Sequence, residues 1–121
     1  MTPRGPDSYH TALFQKTIGK RIQCNLCPHR CVIAEGQTGT CGARAVRDGR
    51  LVSLVYGRPA AMAVDPIEKK PLFHFMPGAP TFSYATKGCN LSCSYCQNFN
   101  LSQTSYAGVQ ARAVSPEKLV E

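Results

Sequence analysis

The sequence has no long apolar run. Its longest aliphatic stretches, such as Ala60 to Val64, are far too short to cross a bilayer. Met1 to Phe14 lacks the apolar segment of a secretion signal and carries Pro3, Pro6, Asp7 and His10 instead. These two absences predict a cytoplasmic protein with no membrane partner. Acidic residues are scarce, seven against fourteen lysines and arginines, for a net charge of +7. Such an excess attracts polyanions. The basic residues are scattered, however: Arg44, Arg47 and Arg50 surround an expected turn, and Lys69 and Lys70 lie between prolines. There is no basic stripe interleaved with aromatics, so the charge reads as solvated surface and not as a nucleic-acid interface. Internal repeats and low-complexity segments are missing too.

What the chain has in excess is cysteine, seven in 121 residues. The number is odd, and a reducing cytosol disfavours a disulfide framework. By position the set divides into Cys24, Cys27, Cys31 and Cys41, then Cys89, Cys93 and Cys96. Four plus three uses every thiol and suggests two metal centres of different kinds.

The elements around them follow from local pattern. Residues 8 to 18 place Tyr9, Leu13, Phe14 and Ile18 near helical spacing, with Asp7 or Ser8 as N-cap and Gly19 past the end, which predicts a helix. A short extended piece, Lys20 to Gln23, then leads to Cys24. Residues 24 to 42 contain Pro28, Gly36, Gly39 and Gly42 and read as loop. In "ARAVRDGRLVSLVY", Asp48-Gly49 suits a type I′ turn, and the spacing predicts a hairpin of Ala43 to Arg47 with Arg50 to Tyr56. Five of the nine prolines fall in residues 57 to 80, which excludes a long helix and favours extended pieces at Ala60 to Val64 and Leu72 to Met76. The run "TFSYATKGC" reads as a strand leading into the second cysteine set. Ser115-Pro116-Glu117 has the N-cap serine, first-turn proline and acid of a helix start. A strand, a ligand loop and a helix start make half of a βαβ unit, with no second strand after it. The expectation is an N-terminal piece of a longer α/β protein, organised as residues 1–58, a connection at 59–80, and 81–121.

The loop "ATKGCNLSCSYCQNFN" carries C-x3-C-x2-C. Three thiolates can bind three irons of a cubic [4Fe–4S] cluster and leave the fourth without a protein ligand. An open iron is a place for a small molecule to bind. A fully ligated ferredoxin-type cluster and a metal-free set of reduced thiols are the bland readings. Lys87 reads as a surface lysine, and Gln97 and Asn98 as cluster hydrogen-bonders or turn caps. The first set, Cys24-x2-Cys27-x3-Cys31-x9-Cys41, offers four thiolates, enough to close a structural zinc ion. A second iron–sulfur cluster and no metal stay open beside zinc, because thiolates do not discriminate the two metals. His29, between Cys27 and Cys31, reads as a bystander. A zinc-ribbon-like basic module for nucleic acid or protein is the competing function. It accounts for Cys24 to Cys41 but leaves the second set unexplained.

The C-x3-C-x2-C spacing, with Tyr95 directly before the last cysteine, resembles the radical SAM signature. The runs "CNLCPHRCVIAEGQTGTCGAR", "DPIEKKPLFHFMPG" and "TFSYATKGCNLSCSYCQNFNLSQ" resemble more narrowly the radical SAM component of the AmmeMemoRadiSam system, whose members are similar to pyruvate formate-lyase activating enzyme. The resemblance covers about residues 9 to 121. It implies a [4Fe–4S] cluster on Cys89, Cys93 and Cys96, and S-adenosylmethionine bound at the open iron with Tyr95 against its adenine. It implies reductive cleavage to a 5′-deoxyadenosyl radical that abstracts hydrogen from a substrate, and a flavodoxin- or ferredoxin-like electron donor. It also implies partners of the Memo and AMME families. The implied fold class is α/β: a small four-cysteine metal-binding module with a β-hairpin, then the first strand, cluster loop and helix start of a partial (β/α)6 TIM-like barrel. Within "DPIEKKPLFHF", Asp65, Glu68, Lys69, Lys70 and His74 line a substrate-facing surface in one reading. In the other they face water while Leu72, Phe73 and Phe75 pack against the barrel.

Overall fold

A computed structural model describes residues 9–103 and 114–120. It contains three small antiparallel sheets and, among the described residues, two short α-helices and one 3-10 turn at Ile67–Lys69. The first sheet joins β1 (His10–Thr11), β6 (Arg50–Ser53) and β5 (Arg44–Arg47) in that order. Its hairpin is the one expected around Asp48-Gly49. Arg47 pairs with Arg50, and the two turn residues take φ of 55° and 73°, the left-handed pair that a type I′ turn demands. The first strand starts one residue later than the pattern suggested, at Arg44, and the second ends three residues earlier, at Ser53.

The second sheet runs β2 (Gln15–Ile18), β3 (Arg21–Cys24), β4 (Val32–Ile33). Here the expected helix over 8–18 is wrong. Phe14 sits at φ 59°, which no right-handed helix accommodates, and Gly19 at φ 59° turns the chain so that Ile18 pairs with Arg21. Leu13 and Phe14 face solvent, so their spacing never defined a buried helical stripe. The suggested caps Asp7 and Ser8 lie outside the described residues.

One core joins these two sheets. Ala12, Ile22, Cys24, Ile33, Val46 and Leu51 are buried together, and Ala45, Val52 and Leu54 pack on the other face of the hairpin. Leu51 is fully buried; its carbonyl accepts from Ala12 N at 2.9 Å and its N–H donates to Gln15 Oε1 at 3.1 Å.

The third sheet pairs β7 (Ala61–Pro66) with β8 (Pro80–Ala85) antiparallel over six residues. This overturns the α/β barrel start. The strand before the three-cysteine loop is partnered by a strand from the proline-rich segment, running the opposite way. A β/α unit needs a parallel partner reached through a crossover helix. The helices α1 (Phe99–Ser102) and α2 (Pro116–Val120) have four and five residues, too few to form such a crossover. The α2 start is as expected: Ser115 Oγ accepts from Lys118 N at 3.4 Å. Residues 72–76 form no strand, and Leu72, Phe73 and Phe75 are exposed instead of packed. Met62, Val64, Phe82 and Tyr84, neighbours on one face of β7–β8, are exposed as well. No helix among the described residues is long and apolar enough to cross a membrane.

Glu35 braces the hairpin turn from outside. Its two carboxylate oxygens accept from Asp48 N at 2.8 Å and Gly49 N at 3.0 Å. The Gly49 bond, then the Asp48 bond, holds the Glu35 carboxyl below the usual carboxylate range. A depressed folded-state pKa contributes stability that is present above the unfolded value of about 4.3 and lost as pH falls through the folded value. Glu35→Gln is therefore expected to lose stability at neutral pH while flattening the acid limb below about pH 4.3. Denaturant midpoints across pH check this; parallel acid limbs for both proteins contradict it.

Candidate metal centre

The four thiols of the first set come together around one concavity. Cys24, Cys27, Cys31 and Cys41 all line a pocket of about 370 Å³, counted out to open solvent, with Leu26, His29 and Arg44. Local backbone bonding brings them there. Cys24 N donates to Cys31 O at 2.8 Å, closing the neck of the loop, and Arg30 N donates to Cys27 O at 3.2 Å inside it. Gly42 N donates to Gly39 O at 3.0 Å, which folds Cys41 back toward the same pocket.

Each sulfur has a hydrogen-bonding neighbour. Arg44 Nη1 reaches Cys24 Sγ at 3.5 Å, Ala43 N reaches Cys41 Sγ at 3.4 Å, and Cys31 Sγ lies 3.4 Å from Thr40 Oγ1. Cys27 Sγ and His29 Nδ1 are 3.8 Å apart. Hydrogen bonds from Thr40, first its hydroxyl and then its backbone N–H, hold the Cys31 thiol below its ordinary value and favour the thiolate. Thr40 escaped the sequence reading, and Arg44 was read there as solvated charge beside the turn; their closeness to Cys41 in the chain is the only signal they leave.

The second set sits in one closed loop after β8. Gly88 N donates to Leu101 O at 2.9 Å at its neck, and Gln103 Nε2 donates to Leu91 O at 2.8 Å across it. Leu91 N approaches Cys89 Sγ at 3.4 Å, Cys96 N donates to Cys93 O at 3.4 Å, and Cys96 Sγ lies 3.3 Å from Ser102 Oγ. Cys93 is the exposed member, and Cys89 and Cys96 are half-buried. Tyr95 is 85% exposed, so it is not a packed loop aromatic. Asn98 caps α1 through its backbone, its carbonyl accepting from Leu101 and Ser102, with no side-chain cap bond. Lys87 is 8% exposed, the reverse of the surface lysine expected.

Among the described residues no group of three or more His, Cys, Asp or Glu side chains is placed to hold a metal ion. All seven cysteines are free thiols. The donor chemistry nevertheless fits the expected groups: soft sulfur ligands, flanked by N–H and O–H donors of the kind that support metal thiolates. What groups the first set is the shared pocket that its four thiols line.

The two sets touch. Gly88 has φ 96°, and a Cβ there would overlap the carbonyl oxygen of Cys41 and lie 3.4 Å from Ala43 Cβ. Asn90, from the three-cysteine loop, lines the four-cysteine pocket. In the proline-rich segment the charged residues have local work. Asp65 pairs with Lys69 at 3.0 Å, and Glu68 Oε1 accepts from Gly78 N at 2.6 Å. An exposed pair of this kind contributes at most about 1 kcal/mol.

No family model matches the chain. It is 41% identical over 108 residues to an uncharacterized protein of Methanocaldococcus jannaschii, a match covering 89% of this chain and 32% of that protein. The chain thus spans about a third of that relative's length. No solved structure matches.

Gly88→Ala tests the seam between the two sets. Gly42→Ala is the control, because Gly42 also has positive φ (72°) but a Cβ there meets nothing within 4 Å. Both should lose about 1 kcal/mol or more to backbone strain, and Gly88→Ala should lose on the order of 1–3 kcal/mol beyond the control through overlap with Cys41. Equal denaturant midpoints for the two variants contradict the close approach.

Proposed function

We propose that this chain carries the cluster-binding part of a radical SAM enzyme of the AmmeMemoRadiSam type. The observation that supports it best is the loop 88–101, closed at its neck by the Gly88–Leu101 bond, with three thiols inside it and no fourth. When bound there, a [4Fe–4S] cluster supplies a low-potential electron and an open iron at which S-adenosylmethionine is chelated and cleaved to a 5′-deoxyadenosyl radical.

The chain's own residues prepare that chemistry. Cys89, Cys93 and Cys96 are the ligands, and exposed Cys93 leaves the loop open on its outer side. The N–H of Leu91 at Cys89 and the hydroxyl of Ser102 at Cys96 withdraw charge from two of the three sulfurs and favour the reduced state. Tyr95, standing in solvent, offers an open aromatic face for the adenine. Asp65, Glu68 and Lys69 serve the fold of the connection, which leaves Lys70 and His74 as the candidates for a substrate surface.

The electron comes from a flavodoxin- or ferredoxin-like donor, and Memo- and AMME-family proteins are the partners in this reading. The setting is the cytoplasm, where seven reduced thiols persist.

Anaerobic reconstitution with iron and sulfide is the test. Wild type should take up one cluster with an electron paramagnetic resonance signal that changes on adding S-adenosylmethionine, and Cys93→Ala should lose it. Iron uptake unaffected by Cys93→Ala, or a signal indifferent to the added molecule, removes the basis of the proposal. Tyr95→Ala should keep the cluster and weaken S-adenosylmethionine binding roughly three- to tenfold, read by titrating the same signal.

A further inference from the structure

We infer that Cys24, Cys27, Cys31 and Cys41 form a closed tetrathiolate zinc site whose ligand Cys41 also seats the neighbouring three-cysteine loop. The inference stands on the pocket and does not require a cluster at the other set.

All four thiols line one concavity, and they exhaust a tetrahedral ion's coordination without help from solvent. The spacings C-x2-C and C-x3-C are those of zinc knuckles, and the Cys24–Cys31 backbone bond supplies the closed neck such a knuckle needs. Gly39 keeps the wall open: a Cβ there would stand 3.6 Å from Cys31 Sγ and 3.3 Å from Ile33 Cδ1.

Charge is balanced from within the same pocket. Four thiolates on a divalent ion leave two net negative charges, and the Arg44 guanidinium at 3.5 Å from Cys24 Sγ offsets one of them. The N–H of Ala43 at Cys41 shares the remainder, as does the Thr40 hydroxyl, which accepts from the Cys31 thiol and turns to donate once that sulfur is a thiolate. His29, near Cys27 Sγ, supports a thiolate and takes no coordination position.

Need and redox chemistry favour zinc over a second cluster. Only nine hydrophobic residues are buried among those described, a small core of the kind that a structural metal supplements. The pocket opens to solvent and three of its thiols are only half-buried. Zinc, having no redox chemistry, is indifferent to that exposure.

Filling the site has a second effect. The backbone of Gly88 rests on the Cys41 carbonyl, and Asn90 borders the pocket. Fixing Cys41 on an ion fixes the surface against which the loop from Cys89 to Cys96 begins. Metal at the first site therefore organises the loop at the second.

The experiment uses the full chain, stripped with chelator under anaerobic conditions and titrated with zinc alone or with cobalt(II) as a spectroscopic stand-in. One equivalent should bind, with the thiolate-to-cobalt absorption of a four-sulfur site. Cys27→Ala should lose that absorption, while Cys93→Ala and His29→Ala keep it. Because Cys27→Ala can fail to fold, hydrogen exchange of the wild-type chain gives an independent readout: amides of residues 88–96 should slow several-fold when zinc is added. Iron and sulfide bound by the four-cysteine set after reconstitution of Cys93→Ala would overturn the zinc assignment. Loss of the site in His29→Ala would overturn the tetrathiolate ligand set. Zinc that binds without slowing residues 88–96 would overturn the coupling. Loss of the cluster in Cys93→Ala with zinc retained separates this inference from the radical reading.

Discussion

The burial of Leu51 is the constraint on which the N-terminal half depends. One residue joins two sheets: its carbonyl holds Ala12, its N–H holds the Gln15 side chain, and its isobutyl group packs with Ile22, Ile33 and Val46. Cys24 belongs to that same buried group. The first thiol of the four-cysteine pocket is thereby anchored in the core, and the other three reach it from turns. Polar backbone of those turns is satisfied locally, as at Cys24–Cys31 and Gly39–Gly42, so the pocket needs little apolar packing of its own.

A seam of backbone then carries position from one cysteine set to the other. Gly88 meets Cys41 where a side chain would not fit, and the loop beyond it is closed by Leu101 and Gln103. The donors at the sulfurs divide by set. Arg44, Thr40 and Ala43 serve the first; Leu91 and Ser102 serve the second. A cation stands beside the four-thiol set, whereas neutral donors stand beside the three-thiol set. Under the two proposals, that difference suits a closed, charge-balanced ion on one side and an open, reducible centre on the other.

Features written in short spans of sequence were legible. Asp48-Gly49 with alternating apolar neighbours announced the hairpin, Ser115-Pro116 announced α2, and Thr81 to Ala85 announced a strand before the loop. Features that depend on pairing across the chain were not. Nothing local says that Ala61–Pro66 is the partner of Pro80–Ala85, and the barrel expectation failed on that pairing. The helix over 8–18 failed because apolar spacing is ambiguous over so few residues, and left-handed Phe14 resolved it into two short strands. The thiols could be grouped by spacing alone. That Asn90 from one set borders the pocket of the other required the fold.

The Glu35 brace also bears on how the chain ages chemically. An aspartyl–glycyl bond deteriorates when the glycine nitrogen attacks the aspartate carboxyl and closes a five-membered imide. In this hairpin that nitrogen donates its proton to Glu35 Oε2 at 3.0 Å, and both turn residues are locked at positive φ. The same contact that shapes the hairpin therefore ties down the atom whose wandering would convert Asp48 to its isomer, and a turn built from a fragile dipeptide becomes a durable one.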